Sequence, residues 1–138
     1  MEVDRPRGFG DPWGNFSMGG AMTPERNLER RLTMALQARG IWAHHIDIIG
    51  CDGWPDILAM RDDHFLLIEV KAGTQKLRPA QSAFHAMLQV KHHCDNVVTV
   101  CAISDTFRVN HQTFRQTFDD FTECVSYLER FLAHGKPE

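Results

Sequence analysis

Apolar residues recur at helical spacing in three stretches of the chain. The first is Thr23–Gly40, which opens with a Thr-Pro pair that suits the cap and first position of a helix. The others are Pro79–His92 and a final stretch in which Thr117 stands three residues before Asp120, as in a capping box. This spacing predicts three amphipathic helices. Their apolar stripes consist of Leu28, Leu32, Ala35 and Leu36, then Ala80, Ala83, Phe84, Met87 and Leu88, then Phe118, Phe121, Cys124, Val125, Leu128, Phe131 and Leu132.

Four shorter apolar runs lie between these helices and predict strands. Ile41–Ile49 alternates between two sets of side chains, as in a strand with two different faces. Asp56–Met60 and His64–Lys71 are rich in Ile, Leu and Val and are separated by Asp62-Asp63, which predicts a β-hairpin. Asn96–Ile103 is almost continuously apolar, as in a strand buried on both faces, and a short polar connection follows it. The order α-β-β-β-α-β-α predicts an α/β fold in which a mixed β-sheet is flanked by helices.

The length of 138 residues and the hydrophobic content of 43% are those of one folded domain. Residues 1–21 are rich in glycine and show no apolar period, so we expect a flexible N-terminal arm followed by a single domain over residues 22–138. No stretch approaches the roughly 20 apolar residues of a membrane helix, and the N-terminus lacks the order of a secretory signal. We therefore expect a cytoplasmic protein with no membrane partner.

Cysteine spacing and charge bear on whether the chain binds zinc or nucleic acid. The four cysteines contain no Cys-x-x-Cys pair, which favours reduced thiols and argues against a zinc site. The net charge of −3 gives the whole chain no attraction for a polyanion. Between Glu69 and His93, however, basic residues outnumber acidic ones. The basic residues are Lys71, Lys76, Arg78 and Lys91. This local positive edge is a candidate DNA-binding surface, although a solvated helix face has the same charge pattern.

The predicted hairpin brings acidic and basic side chains together. If Asp62 and Asp63 are the two turn residues, Asp56 lies opposite Glu69. Lys71 then shares the sheet face of Glu69. Opposed like charges within apolar strands destabilise a sheet unless something compensates them, and oxygen ligands with open positions favour Mg²⁺ or Mn²⁺. Spacing alone is equally compatible with an ordinary hairpin that carries a surface Glu–Lys pair.

Three ordered motifs in this region resemble a known group of enzymes. They are Gly53-Trp54-Pro55-Asp56, Ile68-Glu69-Val70-Lys71 and Leu77-Arg78-Pro79-Ala80-Gln81. Together they resemble the PD-(D/E)XK nuclease superfamily, and within it the VRR-NUC family. The resemblance implies a restriction-endonuclease-like core and a phosphodiesterase in which Asp56, Glu69 and the backbone carbonyl of Val70 bind one or two divalent ions. It also implies that Lys71 is catalytic and that Gln81 orients Lys71 or the phosphate.

The first helix offers two further acidic candidates. At about 100° per residue, Glu25 and Glu29 both lie on or beside the buried stripe of leucines. Acids at such positions are costly unless paired, so at least one of them is expected to face the metal site; the alternative for Glu29 is a pair with Arg30 or Arg31. By resemblance, Glu29 matches the glutamate of archaeal Holliday-junction resolvases, and Glu25 matches the acidic position that opens this helix in VRR-NUC proteins. Glu29 is the first choice, and both are candidate catalytic-site or metal-binding residues.

His45 is a further candidate on the first predicted strand. Related enzymes carry a basic residue there, which makes His45 a candidate phosphate contact, while a lone strand histidine is equally compatible with a structural role. The last helix holds more aromatic residues than one helix face needs, which is compatible with a homodimer interface or with aromatic packing in the core. These aromatic residues are Phe118, Phe121, Tyr127 and Phe131.

The sequence thus predicts an Mg²⁺- or Mn²⁺-dependent DNA endonuclease. By resemblance, its expected substrates are branched DNA such as Holliday junctions or flaps, in a bacterial or phage repair setting, with duplex DNA as a further substrate. The alternative is a module on a nuclease-like fold that binds branched DNA or a protein without cutting. The joint presence of Asp56, Glu69 and Lys71 argues against that alternative, since a decayed site is expected to lose one of them.

Overall fold

A computed structural model of the chain describes residues 23–46, 53–73 and 75–135. The N-terminal arm expected over residues 1–21 lies outside these described residues. The elements, in chain order, are α1 (Pro24–Ala38), β1 (Trp42–His45), β2 (Ile57–Arg61), β3 (His64–Ala72), α2 (Pro79–Ala86), β4 (Val97–Ile103), β5 (Thr106–Asn110), β6 (Arg115–Phe118) and α3 (Phe121–His134). A π-helical turn, Met87–Lys91, extends α2. None of the described helices is long and apolar enough to cross a membrane.

The strands form one six-stranded sheet in which spatial order follows chain order, from β1 to β6. All neighbouring strands are antiparallel except β3 and β4, which are parallel and are joined by the crossover through α2. The predicted mixed sheet flanked by helices is therefore confirmed.

One face of the sheet packs against α1 and α3 and forms the hydrophobic core. On β3 the side chains of Leu66, Ile68 and Val70 are buried in this core together with the leucines of α1 and α3. Because strand side chains alternate between faces, Glu69 and Lys71 project from the opposite face of the sheet. Packing on the core face thus holds β3 in place, while the opposite face of β3 carries Glu69 and Lys71.

The predicted hairpin register is observed. Leu58 pairs with Leu67 and Met60 with Phe65, which leaves Asp62 and Asp63 as the two turn residues. Asp62 adopts φ of 54°, a left-handed conformation that aspartate tolerates better than most residues. The turn therefore fixes the positions of both β3 charges relative to β2.

The start of α1 also follows the sequence prediction. The Thr23 side chain accepts a hydrogen bond from the Arg26 backbone N–H at 3.2 Å, so Thr23 is the N-cap. The next strand is shorter than expected, since β1 ends at His45, and residues 47–49 of the predicted run lie outside the described residues.

Two predictions after β4 are wrong. The segment expected to be a polar connection forms β5 and β6 instead. These strands extend the sheet at its edge with mixed polar side chains, and their short runs lack the apolar continuity that marks β4. Thr117 lies within β6 and does not cap a helix; α3 begins after Asp120, whose side chain accepts a hydrogen bond from the Thr122 backbone N–H at 3.0 Å.

The aromatic residues near α3 pack within the chain. Phe107 lies 5.4 Å from Phe121 between ring centroids, and Phe118 lies 5.2 Å from Tyr127. These rings are partly buried against the core together with Phe114. Strands β5 and β6 supply their partners, so the aromatic excess gives no separate reason for a dimer interface on this helix.

Candidate active site

Asp56 stands directly before β2 and joins the ends of three strands. Its backbone N–H donates to the carbonyl of Ile68 at 3.0 Å, and its carbonyl accepts from the N–H of Ile46 at 2.8 Å. Its carboxylate Oδ2 accepts from the backbone N–H of Val70 at 2.8 Å. The strand pairing itself ends at Ile57, so Asp56 lies one step beyond the ladder in which the sequence placed it opposite Glu69. Its carboxylate is thereby held at the end of β2, beside Val70.

Glu69 carries a fully buried carboxylate on the sheet face away from the core. Apart from the neighbouring Asp56 carboxylate, with which a protonated Glu69 can share a hydrogen bond, neither of its oxygens has a hydrogen-bond partner among the described residues. Burial and the nearby Asp56 carboxylate raise the pKa of Glu69 to about 9, and the charges of Lys71 and Arg78 oppose that rise. A buried acid of this kind is costly without a compensating cation.

Lys71 projects from the same face, two residues further along β3. Its side chain is buried, and its Nζ lies 4.0 Å from Oε1 of Glu25 in the first turn of α1. That Glu25 oxygen is itself buried and has no hydrogen-bond partner in the described part of the chain. The end of α1 thus brings a third carboxylate to the Glu69–Lys71 face.

Glu29 lies one turn further along α1 and forms a hydrogen bond with the Nδ1 of His45. Burial raises the pKa of Glu29; the hydrogen bond to His45 opposes the rise, and the charge of Asp56 adds to it. His45, which the sequence offered as a phosphate contact, is therefore engaged with an acid of the site. Both α1 carboxylates thus lie near charged residues of the site, Glu25 near Lys71 on β3 and Glu29 near Asp56 before β2.

The loop before Asp56 is packed directly against the start of α2. Gly53 has φ of 95°, and a Cβ at this position would lie 2.5 Å from the carbonyl oxygen of Ala80. The ring of Trp54 lies 4.6 Å from that of Phe84 between centroids. Only glycine permits both this backbone conformation and this close approach. The first and third sequence motifs are therefore in contact with each other.

Gln81 lies in the first turn of α2 and is buried. Its Oε1 accepts a hydrogen bond from the backbone N–H of Arg78 at 2.8 Å, which caps the start of the helix. The side-chain oxygen is thus committed to the backbone, and any role of Gln81 toward phosphate falls to its amide nitrogen.

The basic residues expected to contact DNA are at the surface. Lys76 and Arg78 are exposed in the segment that leads into α2, and Lys91 is exposed at the end of the π-helical turn. The charge of Arg78 acts on Glu69, so this segment runs close to the buried acid. Of these exposed cations, Arg78 is the one whose charge acts on a residue of the site.

The donor set fits a hard divalent ion. Within residues 23–46, 53–73 and 75–135, no three His, Cys, Asp or Glu side chains form a ready-made metal cluster. Mg²⁺ needs no such cluster, because it is bound through one or two carboxylates and keeps water or phosphate in its other positions. Asp56 and Glu69 supply two carboxylates. The backbone N–H of Val70 donates to Asp56, and the carbonyl of Val70 lies on the same edge of the strand. That carbonyl is a third oxygen available to the ion.

His85 is a buried residue near the site that the sequence prediction missed. It lies one turn after Gln81 on α2, is only 7% exposed, and its Nε2 has no hydrogen-bond partner in the described structure. Burial lowers the pKa of His85; the charge of Asp56 opposes that lowering, and the charge of Lys71 adds to it. The i, i+4 spacing of Gln81 and His85 was the available signal, because it puts both polar side chains on one face of the helix.

No protein-family model matches the chain, and no curated protein matches it. Among solved structures, the chain is similar to Hjc, a Holliday junction resolvase from the archaeal hyperthermophile Archaeoglobus fulgidus. The two chains are 19% identical with a TM-score of 0.48, and the match covers 74% of this chain and 91% of that chain. Membership of the VRR-NUC family stays a prediction from the three motifs.

Proposed function

We propose that this protein is a divalent-metal-dependent DNA endonuclease whose site is formed by Asp56, Glu69 and Lys71. The observation that carries the proposal is the Glu69 carboxylate, which is fully buried against the Asp56 carboxylate, has no other hydrogen-bond partner in the described structure and has Lys71 as a charged neighbour. Such a carboxylate is stabilised by a cation held between it and Asp56. The donor chemistry favours Mg²⁺ or Mn²⁺.

In this proposal Asp56, Glu69 and the Val70 carbonyl hold the ion. The bound ion supplies Lewis-acid activation of water and neutralises charge on the phosphate. Lys71 projects from the same face and donates hydrogen bonds from Nζ to the attacking water and to a phosphate oxygen. Glu25, 4.0 Å from Nζ, acts as a positioning residue that holds the Lys71 side chain toward the site.

The Glu29–His45 pair supports the carboxylate side of the site. Glu29 lies close enough to Asp56 for the two charges to interact, and its hydrogen bond to His45 fixes the imidazole at the end of β1. We assign this pair to positioning Asp56 and place phosphate contacts on Lys76, Arg78 and Lys91, which are exposed.

The substrate class in this proposal is branched DNA, a Holliday junction or a flap. That choice rests on the resemblance of the three motifs, and the exposed cations beside α2 are compatible with any DNA backbone. A two-fold homodimer would match the symmetry of a four-way junction. Sedimentation of the protein with and without junction DNA tests the dimer separately from cleavage.

The proposal is tested by cleavage of a labelled panel of duplex, single-stranded, flap and four-way-junction DNA with Mg²⁺, Mn²⁺ or EDTA. The expected result is cutting that EDTA abolishes and that Lys71→Met lowers by at least about a hundredfold. Arg130→Gln, a change at an exposed residue of α3, is the matched control and should cut like wild type.

The opposite outcome would support the non-cleaving alternative. If wild type retards junction DNA in a gel but leaves every substrate intact with either metal, the protein is a DNA-binding module. Cutting that persists unchanged in Lys71→Met would place the chemistry elsewhere in the chain.

A further inference from the structure

The face of α2 that is turned toward the sheet is polar. Gln81 and His85 are its buried residues, and Gln89, in the π-helical turn that extends the helix, follows on the same side at the next i+4 position. Ala83 and Met87, which the sequence placed on an apolar stripe, are exposed instead. A helix face that packs only for stability is apolar, because buried polar groups need hydrogen-bond partners. The polar stripe therefore indicates a face that receives a ligand.

A cavity of about 290 Å³ lies between this stripe and strands β4 and β5. Ser82 and His85 line its helix side, and Thr99 and Asn110 line its sheet side. Thr99 is paired with Glu69 in the strand register, so the two side chains project from the same face of the sheet on strands about 4.8 Å apart. The cavity is therefore next to the proposed metal site. Its volume is close to the lower end of the range of about 300–1,000 Å³ for small-molecule sites.

The described lining of the cavity carries no fixed charge. Among the described residues that line it, none is Asp, Glu, Lys or Arg; hydroxyl, amide and imidazole groups lie there beside the apolar side chains of Leu77 and Val97. A phosphate group is held by cations, which this lining lacks. An uncharged ring with donors and acceptors at its edge fits both the polar and the apolar parts of the lining, and a nucleobase has this structure. The cavity is thus suited to a base and not to the DNA backbone.

His85 is the group in this lining that needs a partner. It is only 7% exposed, and its Nε2 atom has no hydrogen-bond partner in the described part of the chain. Burial lowers the pKa of His85, which favours the neutral ring. In the neutral ring Nε2 either donates or accepts, depending on the tautomer, so it can pair with an N–H or with a carbonyl oxygen of a ligand. Because a buried polar atom without a partner is costly, a ligand that supplies one is bound more tightly.

Two other polar residues of the cavity wall are already engaged. Oδ1 of Asn110 accepts a hydrogen bond from Nε of Arg115 at 3.1 Å. Nε2 of His111 donates to the carbonyl of Asp95 at 2.6 Å, and the His111 ring is stacked on Phe114 with 4.6 Å between centroids. These contacts fix both wall residues before a ligand binds, so binding does not have to order them.

We propose that this cavity binds a nucleobase of the DNA strand next to the scissile phosphate, and that His85 forms a hydrogen bond with the edge of that base. The inference rests on the proposed function for DNA as the ligand. Since the cavity begins one strand away from Glu69, a DNA strand whose phosphate meets the ion reaches the cavity with an adjoining base. A base must leave its stack to enter, and this costs least for an unpaired base. The cavity therefore favours flaps and single strands over fully paired DNA.

The test compares DNA that has bases with DNA that lacks them. The probes are fluorescent oligothymidylate, oligoadenylate and an abasic oligomer of the same length, and binding is measured by anisotropy in Ca²⁺ buffer. His85→Leu should weaken binding of a base-containing probe roughly tenfold, because a hydrogen bond to the base is lost, and should leave the abasic affinity unchanged. The dependence of affinity on salt should not change, since no phosphate contact is removed. His85→Gln should recover part of the loss, because its amide also donates and accepts.

Two neighbouring exposed positions on α2 supply a second variant and its control. Ser82→Leu places an apolar side chain at the edge of the cavity and should lower the affinity for the same base-containing probe while His85 is intact. Ala83 is exposed on the same helix but does not line the cavity, so Ala83→Leu should bind every probe like wild type. Melting temperatures within about 3 °C of wild type establish that each variant is folded.

The outcomes distinguish this inference from the proposed function. Equal affinities of wild type, His85→Leu and Ser82→Leu for both base-containing probes would overturn it, whether or not the protein cuts DNA. It would also be overturned if wild type had no preference for bases over the abasic oligomer, or if His85→Leu lost affinity for the abasic oligomer as well. A base-dependent loss in both variants supports it. If the variants show that loss but wild type cuts no substrate with either metal, the nuclease proposal fails and the base site stands as part of a DNA-binding module.

Discussion

The carboxylate of Asp56 accepts a hydrogen bond from the backbone N–H of Val70 at 2.8 Å. This bond continues the attachment of β3 to its neighbour beyond the last pair of the β2–β3 ladder, Ile57 with Ile68. One oxygen of Asp56 is therefore structural, and the other is left for a ligand. The same residue fixes the position of Val70 and of the Glu69 backbone beside it.

Asp56→Asn and Asp56→Ala should separate these two roles. Asparagine keeps an oxygen that can accept the Val70 N–H, so its melting temperature should stay within a few degrees of wild type, while loss of the charge removes metal-dependent cleavage. Alanine leaves that N–H without its partner and should lower stability by about 1–3 kcal/mol as well. Denaturant unfolding and single-turnover cleavage measure the two effects. Equal destabilisation by both substitutions would contradict the structural role of the carboxylate oxygen.

Glu69 should make the stability of the protein fall as pH rises from 7 to 9 in EDTA. Its pKa is about 9 in the folded protein against 4.5 for the ordinary group, so the folded state holds a proton that the unfolded state has released. The contribution of Glu69 to the free energy of unfolding is then fully present below pH 4.5 and is lost as pH rises through 9. The loss is at most about 1.4 kcal/mol per pH unit for one proton. Thermal melting between pH 7 and 9 measures this slope.

Glu69→Gln is the control for that slope. The amide does not ionise, so the decline between pH 7 and 9 should flatten, and the variant should be more stable than wild type at pH 9. Saturating Mn²⁺ should also remove the decline in wild type, because it binds the ionised carboxylate in the folded state. A decline of the same size in Glu69→Gln would assign it to another group.

Gly53→Ala should disturb the site through the backbone. Its φ of 95° disfavours a side chain, and a Cβ would lie 2.5 Å from the Ala80 carbonyl oxygen, so the loop and α2 must separate. We expect a loss of about 1–3 kcal/mol in unfolding free energy together with lower affinity for Mn²⁺. Calorimetry of unfolding and of metal binding measures both.

Gly40→Ala is the matched control for Gly53. It also has a positive φ, of 80°, but a Cβ there meets nothing within 4 Å. Its effect should be confined to backbone strain of about 1–2 kcal/mol with unchanged metal affinity. If both substitutions altered metal affinity equally, close packing of Gly53 against α2 would have no part in forming the site.

Glu25→Gln should lower kcat by about ten- to a hundredfold and leave KM unchanged. The charge that holds Lys71 is removed, while the DNA-binding surface is untouched. Because Glu25 is partly exposed, the change in stability should be below about 1 kcal/mol. Steady-state kinetics on the best DNA substrate provide the test. A rise in KM at constant kcat would mean that Glu25 acts on DNA binding and not on Lys71.

Much of the site region follows from local sequence rules. The hairpin register was predictable because Asp62-Asp63 lies at the centre of the polar break between two apolar runs, and that register fixes Glu69 and Lys71 on one face. The start of α1 was predictable from the Thr-Pro pair.

Other parts depend on contacts between distant residues. Strands β5 and β6 are polar and short, so only their pairing with β4 and the aromatic packing against α3 identify them. His45 and Glu29 are 16 residues apart, and their contact depends on how α1 lies on the sheet.

Anomalous scattering from Mn²⁺-soaked crystals of the protein would locate the bound ion. We expect a peak between the carboxylates of Asp56 and Glu69, within coordination distance of the Val70 carbonyl, and its loss in Glu69→Gln crystals treated in the same way. A wild-type map with no peak beside these two carboxylates would contradict the proposed metal site and the nuclease mechanism built on it.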